Sequence, residues 1–256
     1  MLLAIDVGNT ETVVGVFRDE ELTSRWRIHT SQERTADELA LVFGGFLAQH
    51  DLSFDKNVTG VVLSSVVPNA TQQLREMVHR YFPFDPVVVE PGIKTGVPVL
   101  TDNPREVGAD RIVNALAAFS KYGGPAIVVD FGTATTFDVV SANGELLGAV
   151  IAPGLRVAAR ALFEQTARLP LVELVAPTSA VGKNTVESVQ SGVVFGYASM
   201  VDGMVARITE ELGEATVIAT GGLAAVVVEE CRTVDHHDPW LTLEGLRMVF
   251  EKNVER

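Results

Sequence analysis

The pattern of apolar and polar positions runs through one series of elements and then begins it again. Residues 2–7 are a continuous apolar run closed by Asp6-Val7-Gly8, which predicts a buried strand and a sharp turn. Residues 11–18 and 21–28 read as two more strands joined by a tight charged turn. Leu39, Val42, Phe43, Phe46 and Leu47 recur at helical spacing behind the acidic start Asp37-Glu38, so 35–49 is a predicted helix. A buried strand begins at Gly60, a helix runs from Pro68 to about Tyr81, and 87–89 is a short strand. Pro, Gly, Asp and Asn crowd 90–104, a predicted loop, and a helix follows over 105–121. After Gly123-Gly124-Pro125 the series restarts with strands 126–131, 134–141 and 145–151 and a helix behind Pro153-Gly154. A loop over 170–183, a long helix over 184–212, a strand over 215–219, a helix from Thr220-Gly221-Gly222 to Glu230 and a last helix over 241–252 complete it.

The two halves also correspond in detail. Ile5-Asp6-Val7-Gly8-Asn9-Thr10 matches Val129-Asp130-Phe131-Gly132-Thr133, each an Asp-x-Gly at the end of an apolar run with small hydroxyl or amide residues behind it. One such turn is ordinary hairpin chemistry. Two, each heading a matching strand unit, predict duplicated mixed α/β lobes over 1–115 and 116–256 with a cleft between them. Glycine lets the backbone approach a ligand closely, successive N–H groups form an anion nest, and each Asp can hold a cation that neutralises phosphate charge. The duplicated turn therefore predicts a two-lobed phosphate clamp.

Composition narrows the partners. The net charge of −13 argues against broad nucleic-acid binding, so an anionic ligand must find local positive charge or backbone N–H groups. The single cysteine, Cys231, excludes an intrachain disulfide and a Cys-based zinc site and fits a reducing cytoplasm. The N-terminus lacks a basic segment before its apolar run, and no run is long enough to span a bilayer, so neither a signal peptide nor a membrane anchor is expected.

Other phosphate motifs are absent. Gly182-Lys183-Asn184-Thr185 resembles the end of a P-loop, but Pro177 stands where its leading glycine belongs, and no G-x-G-x-x-G follows a strand. Thr220-Gly221-Gly222 ends an apolar run and opens a helix, either an ordinary turn or a flat place for an adenine. In Asn103-Pro104-Arg105-Glu106-Val107-Gly108-Ala109-Asp110-Arg111, the small Gly108 and Ala109 would let a ligand approach. Asp110 and Arg111 point about 100° apart on a helix, which suits a base and a neighbouring anion binder as well as a solvated ion pair. The long helix carries Val186, Val189, Val193, Tyr197, Met200, Met204 and Ile208 in steps of three and four. Gly192 and Gly196 would admit a second helix, from the same chain or from a second copy. His236-His237-Asp238 reads as a surface loop, because zinc needs three or four converging ligands.

Taken together, Asp6-Val-Gly-Asn-Thr10, Asp102 to Arg111, Asp130-Phe-Gly-Thr133, Gly182 to Gly192 and Asp238-Pro-Trp-Leu-Thr-Leu-Glu-Gly-Leu246 resemble the type III pantothenate kinases over essentially the whole chain. That family belongs to the acetate kinase, sugar kinase, Hsp70 and actin superfamily. The resemblance implies duplicated ribonuclease H-like, actin-like ATPase lobes and ATP-dependent phosphorylation of pantothenate in the cytoplasm, the first step toward coenzyme A. It implies that Asp6, Val7, Gly8, Asn9, Thr10, Glu11, Thr12 and Val13 hold the ATP phosphates, with magnesium on Asp6 through water, and that Thr133 touches ATP. It further implies a monovalent cation, K+ or NH4+, on Asp130. Gly108, Ala109, Asp110 and Arg111 would line the pantothenate site with Asp110 as base, and Thr185 would complete it at the interface of a homodimer. Thr101 stands where many relatives carry Tyr. A kinase of another small hydroxy acid and a non-catalytic nucleotide-binding regulator, of the transcriptional accessory kind, are the competing readings.

Overall fold

A computed structural model of the chain describes residues 1–254. Strand β1 (Leu2–Val7) is followed by β2 (Glu11–Arg18), β3 (Glu21–His29), helix α1 (Ala36–Ala48), the short α2 (Phe54–Asn57), β4 (Gly60–Ser65), α3 (Pro68–Tyr81), β5 (Val87–Val88) and α4 (Ala109–Tyr122). Then come β6 (Ala126–Phe131), β7 (Ala134–Val140), β8 (Leu146–Pro153), α5 (Leu155–Gln165), α6 (Thr185–Leu212), β9 (Thr216–Thr220), α7 (Ala224–Val227), β10 (His236–His237) and α8 (Leu241–Asn253).

The duplication extends to topology. One sheet has the order β3-β2-β1-β4-β5 and the other β8-β7-β6-β9-β10, the same arrangement written twice. In each, the first three strands are antiparallel and the last two add in parallel. The two turns differ by one residue. Val7 pairs with Thr12 across four loop residues, whereas Phe131 pairs with Thr135 across three. Gly8 therefore donates its N–H to the Glu11 carbonyl at 3.0 Å, and Gly132 donates to the Ala134 carbonyl at 2.9 Å.

Two compact units result. The first comprises Met1–Gly96, Asn103–Ala117 and the segment from Thr242 onward; the second comprises Val97–Asp102 and Ala118–Leu241. Helix α8 belongs to the first unit. Three glycines make room for it there. A Cβ on Gly15 would strike Leu243, one on Gly60 would strike the ring of Phe250, and one on Gly245 would strike the Val113 carbonyl of α4. The opposite face of that sheet packs Leu3, Ile5, Val14, Val16, Val61 and Leu63 against α1 and α3. A capping box starts α1: the Thr35 hydroxyl accepts from the Glu38 N–H, and Glu38 accepts from the Thr35 N–H.

In the second unit α6 buries Val193, Val194, Ala198, Val201, Val205 and Ile208 toward the core. The expected stripe is thus rotated: Val189, Tyr197, Met200 and Met204 are only partly buried, and Val186 is exposed. The helix expected over 105–121 is broken. A single 3-10 turn occupies Pro104–Glu106, and α4 begins only beyond Gly108, whose carbonyl accepts from the N–H groups of Arg111 and Ile112. The helix expected after Gly222 shortens to α7 and a 3-10 turn over Val228–Glu230. No helix among the described residues is long and apolar enough to cross a membrane.

Candidate active site

Side chains alternate along β1, so Asp6 and Val7 face opposite ways. Val7 points into the core at 1% exposure, with Thr12, its cross-strand partner, on the same side. Thr12 is buried with its hydroxyl 2.9 Å from that of Thr30. Thr30 in turn donates to the Gly8 carbonyl at 2.8 Å, and its N–H donates to the Thr10 carbonyl at 2.9 Å. Of the segment 6–13, Val7 and Thr12 thus offer backbone and bracing, while Gly8, Asn9 and Thr10 form the open turn. Thr30 was not foreseen: nothing in the local pattern marks it, and its role appears only when β3 lies beside β2.

The other side of the sheet carries the polar groups. Asp6 pairs in register with Ser64 on β4 and with Val13 on β2, and Val13 pairs with Arg27 on β3. Ser64 is fully buried and donates its hydroxyl to Asp6 at 2.6 Å. Glu11 lies on this same face, 3.3 Å from the Arg27 guanidinium. Ser64 and Arg27 were also missed. Ser64 follows the apolar run Gly60–Leu63, and only pairing in space links it to Asp6.

Asp110 joins this site from the first turn of α4. Its Oδ1 accepts from the Arg111 N–H at 3.0 Å. Gly108 makes that pose possible, since a Cβ there would strike the same Oδ1. Burial raises the Asp110 pKa, opposed by the Arg111 N–H and then by the Arg111 charge. Burial is also the main cause that pushes Asp6 up to about 7; the Asp110 charge adds to it, and the Ser64 hydrogen bond and the Arg27 charge oppose it. The Asp110 charge thus reaches Asp6, and carboxylates perturbed in this way are often found where cations bind or protons move.

The second turn is built alike. Asp130 is the penultimate residue of β6, opposite Thr136 and Thr220. Gly221, at φ +95°, passes so close that a Cβ would strike the Asp130 Oδ1 and the Phe131 N–H. Its glycine is required for that approach, which accounts for the Thr220-Gly221-Gly222 motif within the unit. Thr133 is exposed at the tip of the turn, and Gly154 is packed against the Gly132 and Thr133 carbonyls. Thr185 is exposed at the start of α6, where the Asn184 side chain accepts from the Glu187 N–H at 2.9 Å. The Gly182 segment folds back on that turn, since a Cβ there would strike the Ser188 N–H. His236 and His237 are exposed on β10, a strand too short to be expected from the pattern, and Asp238 accepts from Lys121 at 2.6 Å and from Tyr122 at 3.0 Å.

Twin sheets of this order, each with an Asp-x-Gly turn closing its central strand, define the actin-like ATPase and sugar-kinase class. The solved structures agree in fold. The activator of the 2-hydroxyisocaproyl-CoA dehydratase from Clostridium difficile with bound ADPNP matches at a TM-score of 0.55 and 14% identity, covering 100% of this chain and 98% of that one. The ROK hexokinase from Thermus thermophilus matches at 0.52 and 14%, covering 97% of each. The family profile for type III pantothenate kinase matches residues 2–207. A type III pantothenate kinase from Acidothermus cellulolyticus is 59% identical over 99% of both chains, and one from Streptomyces coelicolor is 54% identical over 100% of both. The chain belongs to the type III pantothenate kinase family. It is a kinase, and its family works with ATP and a divalent metal.

Proposed function

We propose that this chain transfers the γ-phosphoryl group of ATP to the primary hydroxyl of pantothenate, giving 4′-phosphopantothenate at the head of coenzyme A synthesis. The observation that carries the reading is the Asp6-Val7-Gly8 turn with Asp110 given its pose by Gly108 in the same unit, in a chain matched end to end by pantothenate kinases.

In this reading the Gly8–Thr10 turn binds the ATP phosphates through its N–H groups. The bond from the acceptor oxygen to phosphorus forms as the bond to ADP breaks, and the hydroxyl proton passes to the Asp110 carboxylate. Such transition states are loose, so alignment and charge neutralisation matter more than early proton removal. Arg111 supplies fixed positive charge, and Gly108 gives the Asp110 carboxylate its place beside the acceptor.

Asp6 has the chemistry a hard divalent ion needs: a recessed carboxylate with a second acid close enough to raise its pKa. Among the described residues no three His, Cys, Asp or Glu side chains form a metal cage. Magnesium keeps waters and phosphate oxygens as ligands, so one protein carboxylate suffices to hold it. Asp6 would hold it, directly or through water, and the ion would neutralise phosphate charge. Asp130, beside the Gly221 backbone, would hold K+ or NH4+, with Thr133 on the ATP. The protein would act as a cytoplasmic homodimer with Thr185 completing the partner's pantothenate site. Support comes from α6, where a Cβ at Gly192, Gly196 or Gly203 would meet nothing within 4 Å, and from the exposed Ile151, Val181 and Val186.

The test is ADP release at high ATP, with and without pantothenate and with other small hydroxy acids. Release that depends on pantothenate supports the reading. Release with another acid alone, or nucleotide binding without turnover, contradicts it.

A further inference from the structure

The site face of the first sheet carries two acids, Asp6 and Asp110, and both substrates bring more negative charge. Backbone N–H groups and Arg111 answer part of it. The sheet itself presents another cation. Ser64, Asp6, Val13 and Arg27 lie in one register row across β4, β1, β2 and β3, with side chains on one face. Two strand spacings, roughly 10 Å, separate the Arg27 backbone from that of Asp6, and a long side chain with a phosphate covers that gap.

The Arg27 guanidinium contacts Glu11 at 3.3 Å, and the two side chains stay 33% and 40% exposed. An ion pair so open is screened by solvent and contributes little to stability. Glu11 also ends the phosphate turn: its carbonyl accepts from the Gly8 N–H at 3.0 Å. Arg27 therefore lies beside the turn, on the face of the sheet that carries Asp6.

We propose that Arg27 is a phosphate-binding residue of this kinase, its guanidinium swinging from Glu11 to the terminal phosphate of ATP. The inference rests on the reading of the Gly8–Thr10 turn as the ATP-phosphate site. A planar guanidinium matches phosphate oxygens in pairs.

The test compares R27Q and R27K with wild type in the full chain, reading kcat/KM for Mg–ATP and the inhibition constant of ADP. Loss of one charge-assisted contact to the terminal phosphate lowers kcat/KM for ATP about tenfold or more in R27Q. ADP, which lacks that phosphate, inhibits almost as before, and R27K recovers part of the loss. Parallel weakening toward ATP and ADP, or no change toward either, overturns the inference. Should R27Q fail to fold, R27K decides alone: a loss confined to ATP supports the role and a parallel loss overturns it. Wild-type enzyme without pantothenate-dependent turnover sinks the underlying reading, whereas normal wild-type turnover with an unchanged R27Q sinks only the role of Arg27.

Discussion

Gly108 and Asp110 crowd each other: a Cβ on Gly108 would strike the Asp110 carboxylate oxygen. The glycine is thus a condition for the pose of the acid. Gly108→Ala must push that carboxylate away from the Arg111 N–H or shift the start of α4. A displacement of about 1 Å in a reacting group can cost 100-fold. The expected outcome is a fall in kcat of ~10- to 100-fold with little change in melting temperature, read by steady-state kinetics and thermal denaturation on one preparation.

Asp110→Asn keeps the shape and removes the base. Its kcat should fall by roughly 100- to 10,000-fold, the usual range for one acid–base group, while KM for ATP changes little. Asp110 must be ionised to accept a proton, and burial raises its pKa. In wild type the acid limb of the pH–rate profile should therefore lie above that of an ordinary aspartate. Equal kcat in mutant and wild type would remove Asp110 from the chemistry.

Asp6 makes stability depend on pH with a definite sign. Its carboxyl titrates near 3.8 unfolded and is pushed up to about 7 in the fold. Between those values the native state holds more protons than the unfolded state, so stability falls as pH rises. Asp6→Asn, which still accepts from Ser64, abolishes that term. The mutant should gain on wild type from pH 4 to 7, by at most roughly 4 kcal/mol at ~1.4 kcal/mol per pH unit, and hold that lead above. Urea titrations at four pH values check it; a constant difference contradicts the burial of Asp6.

Much of the fold was legible because it is local. Pro68 to Tyr81 appears as a helix from its own apolar spacing, and each central strand announces itself as an apolar run closed by Asp-x-Gly. What escaped is non-local. Ser64 meets Asp6 across 58 residues, Thr30 meets Gly8 across 22, and Arg27 joins the row only through strand register. Gly15, Gly60 and Gly245 are likewise unremarkable until α8 lies against them. The break at Gly108 was hidden because apolar periodicity continues past it into α4.

Gly221 should tolerate no side chain. At φ +95° and in contact with Asp130, Gly221→Ala should cost about 1–3 kcal/mol of stability. It should also blunt activation by potassium over sodium, if Asp130 is the monovalent-cation ligand. Initial rates in chloride salts of the two ions, at equal ionic strength, separate this from a simple loss of folded enzyme. Wild-type rates equal in both salts would count against the Asp130 assignment.

The central claim is the acceptor and the bond made to it. Phosphorus NMR of a reaction holding ATP, magnesium, potassium and pantothenate tests it most directly. The account predicts a new phosphomonoester resonance on the primary hydroxyl of pantothenate, growing in equal measure with ADP and absent in Asp110→Asn over the same time. ADP accompanied only by inorganic phosphate, or no change with pantothenate present, would contradict it.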